Sequence, residues 1–224
     1  KHQQQRSADP GVAANDQQQR SNNQQDDRCC QQNRRDWKRN ALAGDARDGS
    51  VEIKQLAGYG TDEHRRRFEL TLSSVELSEA QKVLAKSFNR KVYLLCMAGT
   101  WCGDCVEQCP IILALCEATS TFELRFLDRD SDTELAESLR ICGAARVPQV
   151  VFLNEDFDFL SHFGDRTLAK YRNMSASLNG AACPTGLSTD HDLTKEVTQQ
   201  WLNEFERVHW IVRLSPKLRE RHGD

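Results

Sequence analysis

The sequence predicts an α/β fold in which helices flank a mixed central sheet, and three observations support this prediction. Short apolar runs typical of buried strands, at residues 91–97 and 148–154, are separated by segments with helical spacing. The order along residues 91–174 is strand, helix, strand, helix, strand, strand, helix. Its first half alternates as parallel strands joined by a crossover helix do, and its second half adds an antiparallel edge.

The composition limits the class of protein. With 224 residues and a net charge of -3, the chain is long enough for one domain with appendages and shows no basic patch for nucleic acid. No window approaches the roughly 18 apolar residues of a membrane-spanning helix. The 9 cysteines lie mostly within apolar runs, which is typical of buried reduced thiols. We therefore expect a cytoplasmic protein with no nucleic-acid or membrane partner.

The distribution of apolar residues divides the chain into three regions. We expect residues 1–61 to form a Gln-rich disordered arm and linker, because residues 1–36 contain no Leu, Ile, Met or aromatic residue and cannot bury enough surface to offset the entropy of ordering. This arm contains Cys29 and Cys30, to which we assign no role. Residues 62–174 form the domain, and residues 175–224 form a loop plus a C-terminal helix packed on it.

Apolar spacing and capping residues locate the first elements. The alternation of Phe68, Leu70 and Leu72 predicts a strand at the start of the domain. Ser78 is the expected N-cap of a helix that precedes the buried strand at residues 91–97.

Two later helices are also marked by their sequences. Ser131 and Glu134 predict a capping box, and Gly143 marks the end of that short helix. The C-terminal helix has apolar side chains on one stripe, and we expect this stripe to pack on the domain, with Trp201 and Trp210 as interface anchors if exposed. The stripe consists of Leu193, Val197, Trp201, Phe205, Val208 and Val212.

The segment TWCGDCVEQCP, residues 100–110, contains the candidate site. It follows a buried strand and continues into an apolar helix, which we expect Pro110 to kink or break. Cys102 falls at the helix N-terminus, where unpaired N–H groups favour a thiolate. Cys105 lies one turn further on, close enough to attack a mixed disulfide yet more shielded. The spacing alone also fits half of a zinc site.

These features resemble the thioredoxin superfamily, and most closely its bacterial WCGDC-type branch. The resemblance rests on WCGDC after a buried strand, on Pro110 eight residues past Cys102, and on GAARVPQVVFLNEDFDFLSHFG. It extends over about residues 78–172 and implies a thioredoxin-like fold. It also implies that Cys102 is the attacking thiolate and Cys105 the resolving thiol.

The resemblance further implies which groups bind substrate. Trp101 would flank the cysteine pair, and Pro148 matches the cis-proline of the family, which faces that pair. The backbone of Val147 would then be free to pair with an extended substrate. Gly103 and Asp104, between the two cysteines, would modulate the pair. The implied partners are disulfide-containing proteins and a reductase or small-thiol electron donor, with no cofactor.

Two positions depart from the family pattern. The buried carboxylate six residues before the nucleophile is replaced by Cys96, and its companion lysine by Phe126, so the usual proton acceptor is absent. The proline between the cysteines is replaced by Asp104. As a fixed charge about 6 Å from Cys102, this carboxylate would disfavour the thiolate by about 0.7–2.8 kcal/mol at an effective dielectric of about 20–80. Alternatively, it accepts the proton of Cys105 during resolution.

The remaining candidate residues are interpreted as structural. Cys109, Cys116 and Cys142 fall where helices need small apolar side chains, so we expect them in the core. His162 alternates with Phe163 in a hairpin strand, which is typical of a solvent-facing or satisfied histidine. Neither a second CxxC nor a paired histidine motif is present, and no metal site is predicted.

Two functions from different classes fit these observations. The first is a thiol-disulfide oxidoreductase that reduces protein disulfides through a Cys102 mixed disulfide resolved by Cys105. The second is a binding or adaptor protein on the same fold, which would hold a partner through the Val147–Pro148 edge and the C-terminal helix without turnover. The agreement of motif, strand and prolines favours the oxidoreductase.

Overall fold

A single mixed sheet of four strands organises the computed structural model, which describes residues 61–99, 101–179 and 193–223. The strand order is β2, β1, β3, β4. Strand β1 pairs in parallel with β2 and antiparallel with β3, and β3 pairs antiparallel with β4. The predicted α/β class and antiparallel edge are confirmed. The strands are β1 Val92–Ala98, β2 Phe122–Asp128, β3 Gln149–Leu153 and β4 Phe159–Gly164.

Helices flank this sheet and precede, connect or follow its strands in the predicted order. Helices α1 and α6 both pack against α3, which follows the central strand β1. In the part of the chain that the structure describes, the helices are α1 Asp62–Ser74, α2 Glu79–Lys86, α3 Gly103–Ala118, α4 Thr133–Ser138, α5 Leu168–Asn179, α6 Leu193–Leu214 and α7 Pro216–His222.

The first element is a helix, so the strand predicted from Phe68, Leu70 and Leu72 is wrong. Thr61 caps α1 by accepting a hydrogen bond from the backbone N–H of His64, which completes a capping box. Phe68 and Leu72 are four residues apart, and both pack against the core, whereas Leu70 is 56% exposed. An alternation over three positions therefore does not distinguish a strand from one helical face in this segment.

The predicted cap of α2 is confirmed, whereas that of α4 is displaced by one residue. Ser78 caps α2 in a capping box with Gln81. Helix α4 is capped by Asp132, whose carboxylate accepts from the backbone N–H of Leu135, and not by Ser131. It ends at Ser138, so Cys142 lies beyond it, is exposed and has a positive φ of 51°. The prediction of Cys142 as a core residue is therefore wrong.

Pro110 lies inside α3 without ending it. The helix runs from Gly103 to Ala118, and Pro110 itself is buried. Proline removes one backbone donor, which would otherwise bond to Val106, while the surrounding apolar contacts hold the helix together. The predicted break is therefore wrong. Cys109 and Cys116 lie on this helix and are buried, as predicted.

The C-terminal helix α6 buries its apolar stripe against the domain. Val197, Trp201, Phe205, Val208 and Val212 have at most 3% of their surface exposed. Trp201 Nε1 donates to Gln108 Oε1 of α3 at 3.2 Å, which ties the two helices together by a buried polar contact. Trp201 is therefore unavailable as an interface anchor, whereas Trp210 is 47% exposed.

Some of the sequence predictions concern residues that the structure does not describe. The arm with Cys29 and Cys30 and the linker up to residue 60 lie outside the described residues, as does the segment 180–192. Because α5 continues to Asn179, residues 175–179 are helical and not part of the predicted loop. Within the described ranges, no helix has the length and apolar character needed to cross a membrane.

Candidate active site

The turn between β1 and α3 presents the two cysteines of the motif at different depths. Cys102 is the N-cap of α3, and its backbone N–H donates to the Gly99 carbonyl at 3.0 Å. Cys102 is half-buried, whereas Cys105, one turn into the helix, is 3% exposed. The structure therefore has an accessible first thiol with a shielded thiol behind it, as the spacing predicts.

Val147 and Pro148 lie opposite the cysteine pair. The peptide bond between them is cis, as the resemblance implies. Cys102 Sγ donates to the Val147 carbonyl at 3.5 Å, and Cys105 Sγ accepts from the Gly99 N–H at 3.4 Å. Because Cys102 occupies the Val147 carbonyl, this acceptor is not free in the dithiol form. A thiol is a weak donor, so another donor can displace it at small cost.

The acidity of the pair differs from the sequence expectation. The neighbouring Cys105 thiol and partial burial raise the pKa of the Cys102 thiol, and the backbone N–H groups of Asp104 and Cys105 act in the opposite direction. Burial also raises the pKa of Cys105. The helix terminus supplies the predicted N–H groups, but they are outweighed. In the dithiol form the pKa of Cys102 is therefore raised, whereas its helix position alone would lower it.

Asp104 is held in a cluster of opposite charges. Its carboxylate contacts Arg166 at 2.5 Å and Lys170 at 3.0 Å, and its side chain is 15% exposed. Lys170 also pairs with Glu107 on the next turn of α3. Arg166 in the turn before α5 and Lys170 at its start therefore cover this carboxylate, so it is not the isolated fixed charge that the sequence estimate assumed.

The cluster extends from Arg166 to a second buried carboxylate. Arg166 lies 3.4 Å from Asp165, which also pairs with Arg146 at 3.1 Å and accepts a hydrogen bond from Tyr171. Burial alone would raise the pKa of Asp165, but the Tyr171 and Arg146 hydrogen bonds outweigh it and the pKa is lowered. Alternating charges therefore connect Asp104 to the turn that follows β4.

Trp101 forms an exposed aromatic surface beside the pair. Its side chain is 45% exposed, and the Arg129 guanidinium lies 4.3 Å from its ring centroid. A Cβ at Gly99 would lie 2.6 Å from the Trp101 ring, so only glycine permits this ring to lie against the backbone. Gly103, by contrast, has open space around its Cα.

The sequence did not reveal the partners of these site residues. Arg166 and Lys170 are far from Asp104 along the chain, and only the tertiary fold brings them together. A signal for Gly99 and Arg129 does exist, because they directly follow the parallel strands β1 and β2, whose carboxyl ends lie at the same edge of the sheet.

The thiols form no evident metal site, and His162 has a local partner. Within the described residues, no group of three or more His, Cys, Asp or Glu side chains is arranged to hold a metal ion. His162 hydrogen-bonds to Gln149 on the neighbouring strand, and burial lowers its pKa. It is therefore a satisfied, largely neutral histidine, as predicted.

We expect the Asp104 charge to disfavour the Cys102 thiolate once Arg166, one of the two cations paired with it, is removed. Arg166→Gln should slow Cys102 alkylation at constant pH by about 3- to 100-fold, because an unbalanced carboxylate disfavours the thiolate. Asp104→Asn should speed alkylation, because it leaves Arg166 and Lys170 without their balancing charge. The double variant Asp104→Asn/Arg166→Gln should return the alkylation rate towards that of the wild type. The measurement is the pH profile of Cys102 alkylation, which should rise throughout pH 6–9 in the wild type. Arg221→Gln, which removes a remote partner of Asp156, is the matched control. Slower resolution of a mixed disulfide by Asp104→Asn at an unchanged alkylation rate would instead assign Asp104 as a base.

Comparison with known proteins places the chain in a family. The family model Thioredoxin_9, described as thioredoxin, matches residues 51–177. A protein of unknown function, PA1234 from Pseudomonas aeruginosa, is 16% identical with a TM-score of 0.56, and the match covers 70% of this chain and 90% of that one. An HIV epitope-scaffold is 18% identical with a TM-score of 0.53 and the same coverage.

A third solved structure is similar in sequence over a shorter part of the chain. The germline-specific thioredoxin Deadhead of Drosophila melanogaster is 27% identical with a TM-score of 0.30, and the match covers 44% of this chain and 90% of that one. No curated protein matches the chain. At this level of identity, the first two structures support the fold alone. Because the family model matches more than half of the chain, the protein belongs to the Thioredoxin_9 family of the thioredoxin superfamily.

Proposed function

We propose that this protein is a thiol-disulfide oxidoreductase that reduces disulfides in other proteins. The observation that supports it is the pair of free thiols at the start of α3, one half-buried at the N-cap and one buried behind it, opposite Val147 and Pro148. Because Cys102 is accessible and Cys105 is buried, the attack on substrate by this pair is restricted to one sulfur. The second thiol then completes the reaction within the same molecule.

The reaction has two exchange steps. The Cys102 thiolate attacks one sulfur of a substrate disulfide, the substrate S–S bond breaks, and the other substrate sulfur leaves as a thiolate. Cys105 then attacks Cys102 Sγ, the mixed disulfide breaks, and the substrate leaves with both of its sulfurs reduced. The backbone N–H groups of Asp104 and Cys105 point at Cys102 and favour its charge as it forms.

Groups around the pair are suited to holding a polypeptide substrate. The exposed Trp101 ring offers an apolar surface, and Arg129 covers part of it with a cation. The Val147 carbonyl becomes available to a substrate N–H once Cys102 has entered a mixed disulfide and no longer carries a proton. The electron donor on this account is a reductase or small thiol, and the compartment is the cytoplasm.

The adaptor alternative has weaker support than the sequence suggested. Of its two tryptophan anchors, Trp201 is fully buried and only Trp210 is exposed. An adaptor on this fold would hold its partner equally well with Cys102 replaced, which makes the two functions separable by experiment.

Reduction of insulin disulfides by dithiothreitol tests the proposal. The full chain should accelerate the reaction, Cys102→Ser should abolish the acceleration, and Cys142→Ser should leave it unchanged because Cys142 is an exposed thiol outside the pair. A wild-type protein that gives no acceleration would favour the adaptor. Equal activity of Cys102→Ser and wild type would assign the chemistry to another thiol.

A further inference from the structure

Four thiols form a continuous series from the surface into the core. Cys102, Cys105 and Cys109 follow one another along one face of α3, and Cys96 on β1 belongs to the same buried core cluster as Cys105 and Cys109. The Cys105 thiol interacts with those of Cys102 and Cys109, and the Cys109 thiol interacts with that of Cys96. Exposure falls along the series, from the half-buried Cys102 to the fully buried Cys96.

The inner two thiols differ from an ordinary core cysteine on the same helix. Cys116 is also buried on α3, but the groups that raise its pKa are its apolar surroundings and the Glu117 charge, with no thiol among them. Cys109 has a thiol on either side, Cys105 and Cys96. Three neighbouring sulfurs are the minimum that thiol-disulfide exchange requires, because a thiolate must attack one sulfur of a disulfide while the other leaves.

We propose that Cys96 and Cys109 are a second, buried redox pair, which takes over the disulfide of Cys102 and Cys105 by exchange through Cys105. The protein then stores four electrons, and one fully reduced molecule reduces two substrate disulfides before it needs a donor. This inference rests on the proposed function, because the first disulfide has to form at Cys102 and Cys105.

The transfer needs no reactant other than the substrate disulfide. After the first turnover, the Cys109 thiolate attacks Cys105 Sγ, the Cys102–Cys105 bond breaks, and Cys102 leaves as a thiolate that takes the proton lost by Cys109. The Cys96 thiolate then attacks Cys109 Sγ, and Cys105 leaves and takes the proton of Cys96. The Cys96–Cys109 bond replaces the Cys102–Cys105 bond, and the outer pair is again a dithiol.

The depth of the inner pair sets the pace of this transfer. The hydrogen bond with Cys105 lowers the pKa of Cys109, but the Cys96 thiol and burial together outweigh it and the pKa is raised. The Cys109 thiolate is therefore scarce and exchange is slow. We therefore expect oxidation in two phases, a fast one at the outer pair and a slow one at the inner pair. A slow second phase suits a reserve that is used when the electron donor is depleted.

Disulfide mapping of the full chain tests the inference. The reduced protein is treated with increasing oxidised glutathione, quenched with acid, alkylated, and digested with trypsin and a glutamate-specific protease. Cys96, Cys102 and Cys105 fall in peptide 92–107, and Cys109 falls with Cys116 in peptide 108–117. A Cys102–Cys105 bond leaves the two peptides separate, whereas a Cys96–Cys109 bond joins them, and fragmentation of the joined peptides identifies the bonded cysteines.

We expect the joined peptides, linked through Cys96 and Cys109, in most wild-type and Cys116→Ala molecules after the slow phase. Cys109→Ala should stop at the Cys102–Cys105 bond, and Cys116→Ala removes the same atoms from the same helix as a control for packing. Peptides that stay separate in the wild type, with Cys96 and Cys109 alkylated, would overturn the inference. Joined peptides in Cys102→Ser would overturn the route through the outer pair. A wild-type protein in which Cys102 and Cys105 also stay alkylated would refute the proposed function itself.

Discussion

The Cys105→Ser variant should accumulate covalent complexes with its disulfide substrates. Cys102 remains able to attack a substrate disulfide, but the buried thiol that would resolve the product, 3% exposed behind Cys102, is missing. Resolution within one molecule gains from the effective concentration of a positioned thiol. We therefore expect the mixed disulfide to live at least about a thousandfold longer than in the wild type.

Non-reducing electrophoresis with mass spectrometry of the linked peptides measures this trapping. The double variant Cys102→Ser/Cys105→Ser is the control, and it should trap nothing. Equal trapping by the double variant would move the attacking thiol to another of the 9 cysteines. Rapid decay of the complex in Cys105→Ser would show that another thiol, with Cys109 the nearest along α3, resolves Cys102 directly.

Trp201→Ala should destabilise the domain by about 3–5 kcal/mol, the range for truncating a fully buried aromatic side chain. Trp201 is 0% exposed, packs edge-on against Phe163 at 4.8 Å between ring centroids, and donates to Gln108. Its removal leaves a cavity between α6 and α3 and an unpaired amide oxygen on Gln108. Both effects lower the free energy of unfolding, which the urea midpoint at an unchanged m-value would report.

Trp210→Ala is the matched control for this prediction. Trp210 lies on the same helix but is 47% exposed, and its Nε1 donates to Glu206 at the surface, at 3.3 Å. Its replacement should change the free energy of unfolding by at most about 0.5 kcal/mol. A cost for Trp201→Ala no larger than that of Trp210→Ala would contradict the buried docking of α6 on α3.

The sequence predicts most of the fold because its signals are local and strong. The apolar run that becomes β1 is buried at six of its seven positions, and the stripe of α6 repeats over six turns. The prediction failed where two structures share one local pattern. Phe68 and Leu72 satisfy both a strand alternation and a helical i,i+4 pair, and the Thr61 capping box, which decides for the helix, uses a histidine where Glu or Gln is usual.

The candidate site was predicted in its backbone but not in its electrostatics. Cys102, Cys105 and Pro148 occupy the places that the motif and the resemblance imply. The environment of Asp104 was missed, because Arg166 and Lys170 reach it through the tertiary fold and not through spacing along the chain. The acidity of Cys102 was misjudged for a similar reason. Helix position is read from sequence, whereas burial and the contact with a second thiol are properties of the folded site.

Whether the Cys102–Cys105 pair is a reductant is decided by its reduction potential. This potential is measured on the full chain in glutathione buffers, with the bond identified by peptide mapping. Because the pKa of Cys102 is raised, the reduced pair is not stabilised by a thiolate. The disulfide form is therefore harder to reduce than that of a strong oxidant, and the reduced pair acts as a reductant. We expect a reduction potential nearer thioredoxin's value of about -270 mV than a strong oxidant's value of about -120 mV. A potential near the oxidant's value, or a pair that forms no disulfide in any buffer, would contradict it.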